Sequence, residues 1–233
     1  DADPQCNLTQ YMLKDQEFIE LYGNIDKQDQ IKTIYEVIHP ISIGKGYSES
    51  LPIRQCEDFK SDIIVGDPRL ALKEDLLAQD WRDAKAGGTR GLRTTFIFHD
   101  VVKKAEPYDL VLFDMGPSLG AINRSILLVA DYFIVPLTID IFSIWAIRNI
   151  AETVKVWQRE LTFGLQIAED PSELSQFRGK SELKFLGYVT QQHKERIEDG
   201  NVRIVEAYAK ISERIPSEIT SALGSLSVNN LGS

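Results

Sequence analysis

The chain opens on Asp1-Ala2-Asp3-Pro4-Gln5-Cys6-Asn7-Leu8-Thr9, two carboxylates one residue apart followed by a turn-forming proline and a polar run. In an α/β protein such a cluster belongs at the carboxyl end of a strand, where open parallel sheets place their ligands. Carboxylates in that position hold a hard cation such as Mg²⁺ or orient an attacking water. The same residues also suit a plain acidic turn that caps a helix, with Asp3 or Asn7 accepting backbone N–H bonds. On this cluster alone, capping and chemistry both stand.

A second cluster favours chemistry. Tyr108 to Gly120 reads Tyr-Asp-Leu-Val-Leu-Phe-Asp-Met-Gly-Pro-Ser-Leu-Gly. The continuous apolar run Leu110 to Phe113 predicts a strand buried on both faces of a parallel sheet. It stops on Asp114, and Gly116, Pro117 and Ser118 then turn the chain toward a helix. A buried strand that delivers one Asp to its carboxyl end is the pattern of a Walker B aspartate, which holds Mg²⁺ directly or through water.

The elements that must position these residues alternate. A helix is expected over 121–128, a buried strand over 130–137 closed by Pro136, and a long helix over 141–161. Strand, Gly/Pro turn, helix, strand, helix is the order of a doubly wound α/β domain. In the long helix, Ile144, Trp145, Ile147, Ile150, Val154 and Trp157 recur mostly at three- and four-residue steps, a core-facing stripe. Upstream, a helix is expected over 28–38, a short strand over 61–65, an acidic amphipathic segment over 70–81 and a helix over 94–105. The polar stretch 162–181, with Gly164, Pro171 and Gly179, reads as a loop or short-helix insertion before a strand over 183–189.

Together, Asp-Ala-Asp-Pro-Gln-x-Asn-Leu-Thr, Tyr-Asp-x-x-x-x-Asp-x-x-Pro-Ser-Leu-Gly and Ala-Asp-x-x-Ile-Val-Pro (130–136) resemble the ParA/MinD group of deviant Walker ATPases. The similarity is greatest to its ParA (Soj-like) partitioning branch and runs in order from Asp1 to about Ile150. The resemblance implies a P-loop NTPase-like fold, a mostly parallel sheet with helices on both faces, and a single ATPase domain over 1–233. It implies that Asp1 and Asp114 belong to a Mg²⁺ shell and that Asp3 activates the attacking water. It implies that Gly116, Pro117 and Ser118 lie in the stretch that senses the γ-phosphate. Thr190, at the end of a later strand, and Pro216, after Ile215, match the nucleotide-base side. Gly116 stands where the family often has proline, and Gln191-Gln192-His193 replaces the usual asparagine-containing stretch. The resemblance further implies ATP with Mg²⁺, a nucleotide-dependent homodimer, a ParB-like partner that stimulates hydrolysis, and non-specific DNA as a further ligand.

No Gly-rich phosphate loop occurs in the 233 residues. Ile43-Gly44-Lys45-Gly46 and Ala86-Gly87-Gly88-Thr89-Arg90-Gly91 lack a preceding buried strand and read as ordinary loops. The expectation is therefore that the first strand, the phosphate loop and the first helix lie before Asp1. The alternative is a nucleotide-free member that keeps the fold as a binding module. A nicotinamide dehydrogenase is disfavoured, since no Gly-x-Gly-x-x-Gly follows a strand.

Composition suits a cytoplasmic soluble domain: 43% hydrophobic and 26% charged residues are enough for a substantial core. There is no apolar run of membrane-span length, and no secretory leader is expected. Cys6 and Cys56 read as unpaired thiols, and His39, His99 and His193 share no metal-ligand spacing. The formal charge of −9 opposes phosphate overall, so DNA contact would need a local patch. Arg82, Lys85, Arg90 and Arg93, or Lys194, Arg196 and Arg203, are the basic groups available, the second set mixed with Glu195, Glu198 and Asp199.

Overall fold

The computed structural model describes residues 1–23, 31–170, 183–191, 195–198, 201–204 and 206–228. The chain is α/β and divides into two compact units, Asp1–Ile126 with Leu161–Arg178, and Leu127–Glu160 with Gly179–Ser233.

In the first unit, the opening turn runs into α1 (Asn7–Met12) and α2 (Asp15–Tyr22), followed after 24–30 by α3 (Tyr35–Ser42). The helix expected over 28–38 thus starts later and runs further, and its first three residues lie outside the described residues. A hairpin of β1 (Ile53–Cys56) and β2 (Ser61–Ile64) pairs antiparallel, Ile53 opposite Ile64. Its inner residues Cys56, Ile63 and Val65 pack with Leu13, and Leu8, Met12, Phe18 and Leu21 close over them. A 3₁₀ turn over Pro68–Lys73 leads into α4 (Glu74–Lys85), then α5 (Thr89–Thr95) and α6 (Ile97–Lys104). The buried side of α4 and of the two helices after it, with Leu70, Leu77, Leu92, Phe96, Ile97 and Phe98, forms the core of this unit. α7 (Ala121–Leu127) adds Ile122 and Ile126 to the buried set.

Leu110 to Phe113 departs from expectation. The run has no strand assignment and pairs with none of the described strands. Leu110 and Leu112 are 71% and 79% exposed, while Phe113 packs edge-on against Phe98 at 5.7 Å. The residues alternate, with one face half-buried against α6 and the other in solvent. A strand buried on both faces needs neighbours that the described residues do not supply.

The second unit holds a parallel pair, β3 (Tyr132–Thr138) and β4 (Lys184–Gln191), in sequence before and after α8 (Ile141–Gln166). A helix on the path between two parallel strands is the βαβ arrangement. The register skips one residue between Phe133↔Phe185 and Ile134↔Gly187, and the Phe133 and Phe185 rings touch at 5.2 Å. Asp140 caps α8: its carboxylate accepts from Ser143 N at 2.9 Å and from the Thr138 hydroxyl. Of the expected stripe, Ile144, Ile147, Val154 and Trp157 are buried along α8 and Ile150 is half-buried, while Ala151 and Leu161, which the stripe does not include, are buried too. Trp145 is not among them; it is 57% exposed and meets Phe142 edge-on at 6.0 Å. α8 also extends through Gln166, so the first five residues of the stretch expected as a loop or short-helix insertion continue the long helix; 171–182 lie outside the described residues. A hairpin of β5 (Glu195–Glu198) and β6 (Asn201–Ile204) precedes α9 (Glu206–Leu223). Among the described residues no helix is long and apolar enough to cross a membrane.

Candidate functional site

The opening turn is built from its own carboxylates. Asp1 Oδ2 accepts from Thr9 N at 2.8 Å and from Thr9 Oγ1 at 2.7 Å, and Asp1 Oδ1 accepts from Asp3 N at 3.2 Å. Thr9 Oγ1 in turn accepts from Gly66 N at 2.8 Å, which fastens the turn to the end of β2. A Cβ on Gly66 would stand 3.0 Å from the Asp1 carboxylate and 2.8 Å from Cys6 Sγ, so the backbone must pass here without a side chain. Cys6 itself is left-handed at φ 56°, and its N–H donates to Asp3 O at 2.9 Å. Burial, with the Asp67 and Asp3 charges behind it, pushes the Cys6 thiol up to about 11. At neutral pH it is a packed thiol and no nucleophile.

Asp114 joins this turn. Ala2 N donates to Asp114 O at 2.8 Å, which lays the chain after Phe113 alongside the opening residues. Burial raises the Asp114 carboxyl above its ordinary range, and the Asp3 charge adds to the shift. The turn after Asp114 comes equally close, since a Cβ on Gly116 would stand 3.1 Å from Asp3 Oδ1. The first unit therefore brings together Asp1, Asp3, Asp114 and Gly116. Pro117 and Ser118 continue the turn on its exposed side.

The other two expected residues lie in the second unit. Thr190 stands near the end of β4 opposite Leu137, half-buried. Pro216 lies inside α9, after the buried Ile215, and its carbonyl accepts from Thr220 Oγ1 at 2.9 Å. Gln192 and His193 of the divergent stretch beside Thr190 lie outside the described residues, and so do the side chains of Gln191, Lys194, Arg196 and Arg203.

Sequence reasoning misses three residues that hold the site. Thr9 reads in sequence only as part of a polar run, yet it is fully buried and links Asp1 to Gly66. Asn123, buried on α7, donates through Nδ2 to Gly116 O at 2.6 Å and to Ser118 O at 2.5 Å. Glu74, the first residue of α4, accepts from Ala121 N and, at 3.2 Å, from Ile122 N. For Asn123 a signal exists: one amide side chain in the apolar sequence Ala-Ile-Asn-Arg-Ser-Ile-Leu. For Glu74 there is none, because its partners are 47 and 48 residues away.

The donor set can be compared with a Mg²⁺ site. Among the described residues no group of three or more His, Cys, Asp or Glu side chains is placed to hold a metal ion. Asp3 and Asp114 lie on two turns that the Ala2 N to Asp114 O bond and the close passage of Gly116 by Asp3 bring side by side, while the Asp1 oxygens already accept three hydrogen bonds. Mg²⁺ characteristically takes one or two carboxylates and fills its shell with waters and substrate phosphate oxygens, so this set fits. The basic residues of the first unit fit an anion less well. Arg82 and Arg90 line a cleft of about 710 Å³ with Asp80, Asp83 and Glu169, a mixed surface that none of Asp1, Asp3 and Asp114 reaches.

Residues 1–167 match the family model described as an AAA domain (AAA_31). Among solved structures, the chain is similar to the protein DIP2308 from Corynebacterium diphtheriae, with 26% identity and a TM-score of 0.79, covering 97% of this chain and 78% of that one. A plasmid partition protein from Borrelia burgdorferi aligns with 17% identity over 93% of this chain and 83% of that one, at a TM-score of 0.40 that is too low to carry weight. No curated protein matches the sequence.

Proposed function

The chain belongs to the AAA domain family, and from that premise we propose that it acts as a Mg²⁺-dependent ATP switch of the ParA type, built on a doubly wound sheet. The observation that carries the reading is the placing of Asp3 and Asp114 on two adjoining turns, tied by Ala2 N to Asp114 O and closed by Gly116 beside Asp3. When bound, Mg²⁺ would supply neutralisation of the charge on the phosphate oxygens.

Each residue then has a separate task. Asp114 holds the cation. Asp3 orients the attacking water and accepts its proton. Asp1 would support the Mg²⁺ site with a carboxylate fixed by Thr9 and by the Asp3 amide. Gly116, Pro117 and Ser118 form the turn that senses the γ-phosphate, and Thr190 and Pro216 serve the base side of the nucleotide. The ParA resemblance extends the reading to a nucleotide-dependent homodimer, a ParB-like partner that stimulates turnover, and non-specific contact with DNA, in the service of partitioning or cargo positioning.

Steady-state ATP hydrolysis by the protein that carries this chain tests the assignment. Asp3→Ala is expected to lower kcat about 10²-fold or more, the usual weight of a positioned base, with Mg²⁺-ATP affinity retained. Turnover unchanged in Asp3→Ala would remove Asp3 from the mechanism.

A further inference from the structure

We propose that Glu74 and Asn123 are positioning residues that clamp the 116–122 stretch in its place beside Asp3, and that water activation depends on this clamp. The inference rests on the ATP-switch reading above. The turn part of this stretch, 116–120, has little else to hold it: residues 110–120 carry no helix or strand, and Pro117, Ser118 and Leu119 are exposed. Packing cannot fix a turn that faces solvent, so hydrogen bonds must.

The Asn123 amide has two N–H donors, and they go to carbonyls two residues apart, Gly116 O at 2.6 Å and Ser118 O at 2.5 Å. A side chain there that lacked either donor would leave one carbonyl free to swing. The Glu74 carboxylate divides its oxygens in the same way, Oε1 taking Ala121 N and Oε2 taking Ile122 N at 3.2 Å. A side chain on Gly120 would collide with Glu74 Oε1, so the backbone comes within reach only because residue 120 is glycine. Hydrogen bonds thus run from α4 through Glu74 to the start of α7 and through Asn123 to the turn, where Gly116 passes so near Asp3 that a Cβ on it would stand 3.1 Å from Oδ1. Both clamps act on backbone atoms, Glu74 on Ala121 N and Ile122 N and Asn123 on Gly116 O and Ser118 O. Loss of either should misplace the turn while leaving nucleotide affinity nearly intact, and displacement of about 1 Å at a reacting centre costs on the order of 10²-fold in rate.

Three readouts on the intact protein decide the matter: Mg²⁺-ATP affinity, kcat, and amide hydrogen exchange over 116–122. Asn123→Ala and Glu74→Gln are each expected to lower kcat tenfold or more and to leave affinity within threefold. Exchange over 116–122 should quicken at least tenfold, with the α8 amides unchanged. Should Asn123→Ala fail to fold, Asn123→Asp keeps the shape and deletes the donor, and carries the same expectation. Unchanged exchange over 116–122 overturns the clamp, and kcat within threefold of wild type overturns its role in turnover. Affinity and kcat falling together would make both residues merely structural. A wild-type protein that binds no Mg²⁺-ATP would instead sink the ATP-switch reading, with the inference, whatever the exchange shows.

Discussion

At the residue scale, Asp114 shows how a site residue works against the fold that carries it. Its carboxyl is raised above the ordinary value of 3.8 by burial, and Asp3 adds to the shift. Below pH 3.8 both folded and unfolded chains hold the proton, and the residue costs nothing. As pH rises through the window above 3.8, the unfolded chain ionises first, so the folded state loses stability and stays penalised once both are ionised. Asp114→Asn should therefore melt higher than wild type at pH 7, by a small margin because solvent screens a half-buried carboxyl. The gain should vanish as pH falls below the carboxylate range. Thermal melts at pH 7 and at pH 3.5 check the sign, and a variant that melts lower at pH 7 would mean that Asp114 is a net structural support. The sequence makes Asp1, Asp3 and Asp114 visible because carboxylates at the ends of predicted elements stand out. It leaves Thr9, Glu74 and Asn123 unseen because their value lies in partners far along the chain or on backbone atoms.

At the element scale, α8 separates what periodicity can and cannot decide. Spacing places Ile144, Ile147, Val154 and Trp157 on the buried stripe, and all four are buried. It places Trp145 there too, but positions 144 and 145 lie about 100° apart on a helix, and the exposed side received the larger ring. Ile147→Ala should accordingly cost about 2–5 kcal/mol of stability, the range for a truncated core isoleucine. Trp145→Ser should change stability by less than about 0.5 kcal/mol. Urea unfolding of the two variants measures the contrast, and equal losses would put Trp145 in a core contact after all. Leu110 to Phe113 misleads for a related reason. A four-residue apolar run has no period long enough to distinguish a strand buried on both faces from one with a single packed face. Only the ring of Phe113 against Phe98 and the exposure of Leu110 and Leu112 settle which it is.

At the scale of the whole molecule, the order of elements is readable in the sequence and their pairing is not. The run from α7 through β3 and α8 to β4 follows from alternating apolar periods and turn residues, and the parallel pairing of β3 with β4 agrees with it. The β1 strand of the first hairpin escapes a sequence reading because Ile53-Arg54-Gln55-Cys56 is short and mostly polar. The net charge of −9 bears on partners rather than on fold: any DNA contact must come from a local basic surface and weaken steeply with salt. The central claim, that the carboxylates at 3 and 114 serve a Mg²⁺-nucleotide, meets its most direct test in calorimetric titration of ATP with Mg²⁺ into the protein carrying this chain and into its Asp114→Ala form. The account predicts saturable binding by the wild type that depends on Mg²⁺ and weakens at least tenfold in Asp114→Ala. Binding that is indifferent to Mg²⁺ and to the substitution, or no binding by a folded wild-type protein, would contradict it.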